Sequence, residues 1–272
     1  MRTPVPLGTT VRLFGTLHRR MLDRGYEVPP WDRLRADDLD AEDVEIARSA
    51  WAARTVAEYR SMIVFGELIA RFGEVGLPLE VTTAASRLLS DEARHTELCA
   101  RVADALGGHD GVALKPNDLR LHRNDLPAHL FVARWTTSMF CVGESASVAI
   151  LRVLLAHAKN PCIEAVLRIL LRDEILHDRF GWALARLVLP RLTDDEQEWL
   201  AADLAHTFAH YDRAHGASDS DTGDAVLRGD LGLAPARARS DAFHHRIDTV
   251  ILPSLAGLGV PAYEAWMLRS EV

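Results

Sequence analysis

The sequence predicts an all-α protein built on a bundle of four long helices, with additional helices at its C-terminal end. Three observations lead there. Ala, Leu, Arg and Glu are abundant and the β-branched residues are scattered among them, which favours helix almost throughout. Apolar residues recur at helical spacing along stretches far longer than a strand. Gly and Pro divide those stretches into segments of roughly 27 to 32 residues, the length of bundle helices.

The N-terminal region through Pro29-Pro30-Trp31 reads as irregular. A first long helix is expected from about Asp43 to Phe72, stopped by Gly73 and the Gly76-Leu77-Pro78 turn. The second runs from about Pro78 to Leu106 and ends at Gly107-Gly108. The third begins near Leu126-Pro127 and continues to about Ala158, where Asn160-Pro161 breaks the chain. Pro161 suits the first position of the fourth helix, because the N–H it lacks has no partner inside a helix anyway. That helix continues to about Leu189, before Pro190.

Residues 43–190 then form two short-looped hairpins joined by one longer crossover. Residues 191–272 form a helical C-terminal extension, with one helix from about Thr193 to His215 and another from about Arg239 to Leu255. Between them the polar stretch Gly216 to Pro235 reads as a loop, and a closing segment surrounds Trp266. No linker separates the extension, so residues 1–272 are expected to make one domain.

The formal charge of −8 argues against nucleic acid or an anionic membrane as partner, because no basic stripe is available to neutralise phosphates. A small-molecule substrate is expected instead. The 3 cysteines, Cys99, Cys141 and Cys162, cannot all pair and show no Cys-x-x-Cys spacing, which points to a reducing cytoplasm rather than a disulfide or sulfur-rich metal framework. Met1 to Leu13 is broken by Pro4, Pro6 and Gly8, and no later stretch has about 18 uncharged apolar residues in a row. Neither export nor a membrane anchor is expected.

The chemistry lies in two Asp-Glu-x-x-His motifs, Asp91-Glu92-x-x-His95 and Asp173-Glu174-x-x-His177. Residues i and i+3 share a helix face, so each motif offers a carboxylate and an imidazole to one point. With 12 histidines in the chain, one such pair is expected by chance, so the spacing alone decides little. Position in the hydrophobic pattern decides more. Glu92 and His95 interrupt the apolar stripe Leu88, Cys99, Val102, Leu106, and Glu174 and His177 interrupt Ile163, Leu167, Leu170, Gly181, Leu184. Charged groups in a core stripe are costly unless paired or metal-bound.

Each partner helix should supply one more inward Glu at the same height. Counting back from the second hairpin turn gives Glu144, on the stripe Phe140, Cys141, Val148, Leu151, Leu155. The same count in the first hairpin gives Glu58, on Trp51, Thr55, Met62, Phe65, Ile69. Glu67 competes, since Val64-Phe65-Gly66-Glu67 echoes Cys141-Val142-Gly143-Glu144, but it would lie roughly 13 Å too close to the turn. Glu58, Glu92, His95, Glu144, Glu174 and His177 are therefore the expected metal ligands and catalytic set. Asp91 and Asp173 are expected to orient the imidazoles, either along their own helix or across the bundle.

Four Glu and two His in this arrangement resemble the di-iron and di-manganese carboxylate proteins of the ferritin-like superfamily. Asp-Glu-Ala-Arg-His at 91–95 resembles the motif of bacterial multicomponent monooxygenases, and Arg172-Asp173-Glu174-Ile175-Leu176-His177 resembles that of ribonucleotide reductase small subunits. Aromatic-amine N-oxygenases of the superfamily have similar spacing but carry a further His where this chain has Leu170. The resemblance covers residues 43–190 and implies a ferritin-like four-helix bundle holding two iron ions, or manganese in place of one or both, with O2 as co-substrate.

An O2-activating di-iron oxygenase or oxidase, acting on a small apolar or aromatic organic molecule, is the function so implied. An electron-donating reductase or ferredoxin and a homodimeric assembly go with it. The alternative is an iron-handling ferroxidase or a peroxide-scavenging ferritin-like protein. Cys99, Cys141, Phe140, Val148, Met62 and Thr55 are expected either to line a substrate cavity or to pack the core. Tyr59 reads as packing. His206 and His210 have metal-pair spacing, but no inward carboxylate accompanies them or His215, so these three read as exposed or partly buried; His244 and His245 rank no higher.

Overall fold

A computed structural model describes residues 21–22, 25–36, 39–108, 126–216 and 230–272. Among them the chain is all-α, with seven helices when segments that run on through π-turns are joined, and no strand. Helix α1 is Ala41–Phe72, α2 Leu79–Ala105, α3 Ala128–His157, α4 Pro161–Val188 and α5 Asp194–His215. Helix α6 begins as Ala236–Arg246, continues through a π-turn at Ile247–Ile251 and ends as Leu252–Ala256, and α7 is Ala262–Leu268. The expected helix bounds are met to within a few residues. Most of the crossover after Gly108, much of the Gly216 to Pro235 stretch and all of Met1 to Leu13 lie outside the described residues.

Local chemistry sets the helix starts. The Asp40 carboxylate accepts from the Glu42 and Asp43 amides, and the Asn160 side chain accepts from Cys162 and Ile163 with Pro161 in the first turn. Thr193 and Glu196 form a reciprocal capping box at the head of α5. The turn after α1 ends on Gly76 at φ +67°, a left-handed conformation that glycine takes without steric cost.

Helices α1 and α2 pack along their length, α3 packs on α4, and α2–α4 and α1–α3 contacts close the group of four. One apolar core runs from Leu34 through this group to Ala265 in α7. Gly181 marks where α4 meets α3 most closely, since a Cβ there would run into Phe140. The Trp51 indole donates to Leu231 O at 2.8 Å, tying the segment before α6 to the bundle.

One expectation needs correction. Helix α3 is not α-helical throughout, because Thr136–Glu144 is a π-segment. Its i→i+5 turns widen the helix just before Glu144, a distortion that hydrophobic periodicity does not encode. The same helix is also apolar and long enough to cross a membrane by length and composition, with mean hydropathy 1.7 over its best window. That window is 61% buried inside the protein, and its apolar residues face the other helices.

Candidate metal centre

Helices α2 and α4 bring their motifs face to face. Glu92, His95, Glu174 and His177 are all essentially inaccessible, and Glu144 at the end of the π-segment is buried with them. Glu58 approaches from α1 with its side chain 13% exposed. His95 Nδ1 lies 3.3 Å from Glu174 Oε1 and 3.6 Å from Glu58 Oε2. His177 Nδ1 lies 2.9 Å from Glu92 Oε1 and 3.8 Å from Glu174 Oε2.

These side chains form two overlapping groups, each able to hold a metal ion. Glu58, Glu92, His95 and Glu174 place one ligand atom apiece within 4.8 Å of one another, and so do Glu92, Glu144, Glu174 and His177. Glu92 and Glu174 belong to both. Glu67, half-buried and nine residues or about two and a half turns further along α1 than Glu58, belongs to neither.

The hydrogen-bond pattern shows what the interior lacks. Both oxygens of Glu92, Oε2 of Glu174 and Nδ1 of both histidines are buried without a hydrogen-bond partner. Even at 2.9 Å, His177 Nδ1 and Glu92 Oε1 are not aligned as donor and acceptor. A buried polar group left unpaired costs about 1–3 kcal/mol, and here the orphaned atoms all face one another. A cation held there would supply the missing partner. The donor set of hard carboxylate oxygens and imidazole nitrogens suits a divalent first-row metal.

Behind the imidazoles the bundle is crossed reciprocally. His95 Nε2 faces Asp173 Oδ2 of α4 at 3.4 Å, while His177 Nε2 faces Asp91 Oδ2 of α2 at 3.7 Å. Asp173 thus steadies His95 by a hydrogen bond, whereas Asp91 acts on His177 through its charge, neither Asp91 Oδ2 nor His177 Nε2 having a hydrogen-bond partner. Carboxylates on this side hold the proton on Nε2 and leave the Nδ1 lone pair inward.

A cationic and aromatic cover closes over the aspartates. Arg94 Nη1 donates to Asp91 at 2.7 Å and reaches Asp173 at 3.5 Å, and Arg87 pairs with Asp91 from solvent. The Tyr26 hydroxyl is placed to donate to Asp173 at 3.1 Å and lies 3.3 Å from Asp91. Its ring is flanked by two guanidiniums, Arg94 at 3.4 Å and Arg172 at 4.1 Å from the centroid. Sequence reasoning missed Tyr26 and Arg94. Arg94 is visible inside the first motif as a charge on a buried face, but Tyr26 is 147 residues from Asp173 and carries no local signal.

Without a metal the clustered acids compete for protons. Burial pushes the Glu92 carboxyl up to about 8, against the pull of His177. Burial, joined by the charges of Glu174, Glu92 and Glu58, raises Glu144 well above the carboxylate range. Glu174 is held down at about 2, because Glu144, His177 and His95 together outweigh its burial. Burial works to lower both histidines, yet Asp173, Glu174 and Glu58 raise His95, and Asp91 with Glu174 and Glu92 lift His177 to about 10.

Beside the Glu58 and Glu144 carboxylates lies a cavity of about 660 Å³, walled by α1, α3, α5 and the start of α6. The residues expected either to line a cavity or to pack do the second: Cys99, Cys141, Phe140, Val148 and Thr55 are buried core. Met62 is partly buried and does not line this cavity. The cavity instead opens on neighbouring faces, against Ala53, Ala57, Gly143 and Ser147, where small side chains leave room. Leu170 is fully buried. Tyr211 from α5 packs its hydroxyl over Gly143, and burial together with the charges of Glu144 and Glu174 pushes its pKa up, keeping the phenol neutral. His206 and His210 are exposed, whereas His215 lines the cavity.

Comparison with protein-family models finds no matching family, and comparison with curated proteins finds no match.

Proposed function

We propose that this protein is an O2-activating di-iron oxygenase or oxidase of ferritin-like type, acting on a small, largely apolar organic substrate. The observation that carries the reading is the pair of overlapping ligand groups sharing Glu92 and Glu174. Glu92 and Glu174, common to both groups, would hold two divalent cations together with Glu58 and His95 in one group and Glu144 and His177 in the other, the four carboxylates balancing the charge. Bound there, iron supplies reductive activation of O2, and manganese in one or both positions is the variant of the same chemistry.

The chain's own residues hold and shield this centre. Asp91 and Asp173 keep the Nδ1 lone pairs of His177 and His95 directed inward. The core side chains Phe65 and Phe140 pack around the cluster, His177 lying edge-on to Phe65, and exclude water from that side. The cavity reaches Glu58, Glu144 and Glu174 from the other side, where Tyr211 can donate to a bound molecule. A reductase or ferredoxin would deliver electrons, in the reducing compartment that the 3 free buried cysteines suit.

The cavity favours this reading over ferroxidase or peroxide-scavenging activity, which needs no organic-substrate space beside the metals. Elemental analysis and oxygen-electrode traces on the reduced protein test it. Two iron or manganese ions per chain and metal-dependent O2 uptake are expected. A metal-free protein ends the proposal, and a large multi-chain particle on size-exclusion chromatography with iron uptake favours the iron-handling alternative.

A further inference from the structure

The cavity beside the carboxylates has an apolar wall and a cationic end. Ile46, Ile150, Leu151, Leu154 and Leu233 supply the apolar wall. Arg54 and Arg239 supply the cationic end, from α1 and α6, with the His215 imidazole of α5 beside them. Arg54 is four residues, one helical turn or about 6 Å, from Glu58. Nη1 of Arg54 is buried with no hydrogen-bond partner, and so is Nδ1 of His215. The Arg54 guanidinium leans on the Trp51 ring at 4.9 Å, which fixes its plane without neutralising its charge.

An arginine is kept in a partly apolar cavity at a cost unless something answers its charge. The metal ligands do not answer it once loaded, since four carboxylates and two divalent ions cancel. From these observations we infer that the cavity binds an amphipathic carboxylic acid, its carboxylate on Arg54 and Arg239 and its apolar body along the Ile46, Leu151 and Leu154 wall. Guanidinium groups match a carboxylate in shape as well as charge, and the unpartnered His215 nitrogen adds one neutral contact. Burial and the neighbouring Arg239 and Arg54 hold His215 down at about 4, so it meets the acid as an uncharged imidazole. The anionic head then sits about one helical turn from Glu58.

This inference rests on the oxygenase reading of the same cavity and names its substrate class. The test is calorimetric titration with octanoate and with octanamide, on protein whose metal content is measured in the same sample. Octanoate is expected to bind at least about tenfold more tightly than the isosteric amide. Arg54→Gln should erase that preference while leaving octanamide affinity and metal content unchanged, and Arg54→Lys should retain part of it. The unchanged amide affinity serves as the check that the variant is folded. Equal binding of the two probes, no binding of octanoate at millimolar concentration, or a preference that survives Arg54→Gln overturns the proposal. A preference that depends on Arg54 in a protein that takes up no metal keeps the anion site and removes the oxygenase reading.

Discussion

Helix α4 carries two polar clusters on consecutive residues, one buried and one half-buried, and they are built in opposite ways. Asp178 is closed by protein donors: Arg246 Nη2 at 2.8 Å, Trp182 Nε1 at 3.0 Å and the Ser145 hydroxyl. His177, its neighbour, shares a chamber with Glu92 and Glu174 in which ligand atoms converge and go unpaired. In the cluster that joins α3, α4 and α6 both carboxylate oxygens are answered by the protein's own donors. A cluster that leaves its acceptors aimed at a common point is completed from outside.

The contrast can be broken most forcefully at a shared carboxylate. Glu174→Ala removes a ligand from both groups and should take bound metal from two ions to fewer than one per chain, whereas Glu144→Ala touches one group and should leave about one. Equal losses from the two variants, measured by elemental analysis, would show that the overlap has no meaning for binding.

The self-satisfied cluster should respond in stability instead. Asp178→Ala leaves the part-buried Arg246 guanidinium without its carboxylate and should cost about 1–3 kcal/mol in chemical denaturation, with metal content retained. A loss well under 1 kcal/mol would mean the network is solvated and does not pin α6.

A smaller and more diagnostic effect is expected from pH. In the metal-free protein Glu92 is raised from 4.5 to about 8, so its stabilising contribution is complete below 4.5 and is lost as pH rises through 8. His177, raised from 6.5 to about 10, contributes fully below 6.5 and loses its share by pH 10. Glu174, held at about 2, acts in the opposite sense but only below pH 4.5. Metal-free protein should therefore lose stability steadily between about pH 5 and 10. Metal affinity should rise over the same window, because the ligands must shed protons to bind. Melting temperatures of the two forms that move in parallel with pH would contradict this.

The sequence by itself determined the helices and the inner carboxylates and imidazoles of the buried cluster, for one reason: both are written at short, periodic separation. Composition and Gly-Pro punctuation located α1 to α4, and the interruption of apolar stripes singled out Glu92, His95, Glu174 and His177. Counting from the two hairpin turns reached Glu144 and preferred Glu58 to Glu67, since equal rise per residue keeps antiparallel partners at matched heights.

What only the tertiary structure decided depends on side chains that meet across long separations. The exchange of Asp91 and Asp173 between the two histidines, the Tyr26 and Arg94 cover and the convergence of Arg54, His215 and Arg239 have no periodic signature. The π-turn before Glu144 and the small residues that open the cavity beside it are likewise set by how helices pack. A repeating pattern fixes which face of a helix is buried; what that face meets depends on the whole chain being folded.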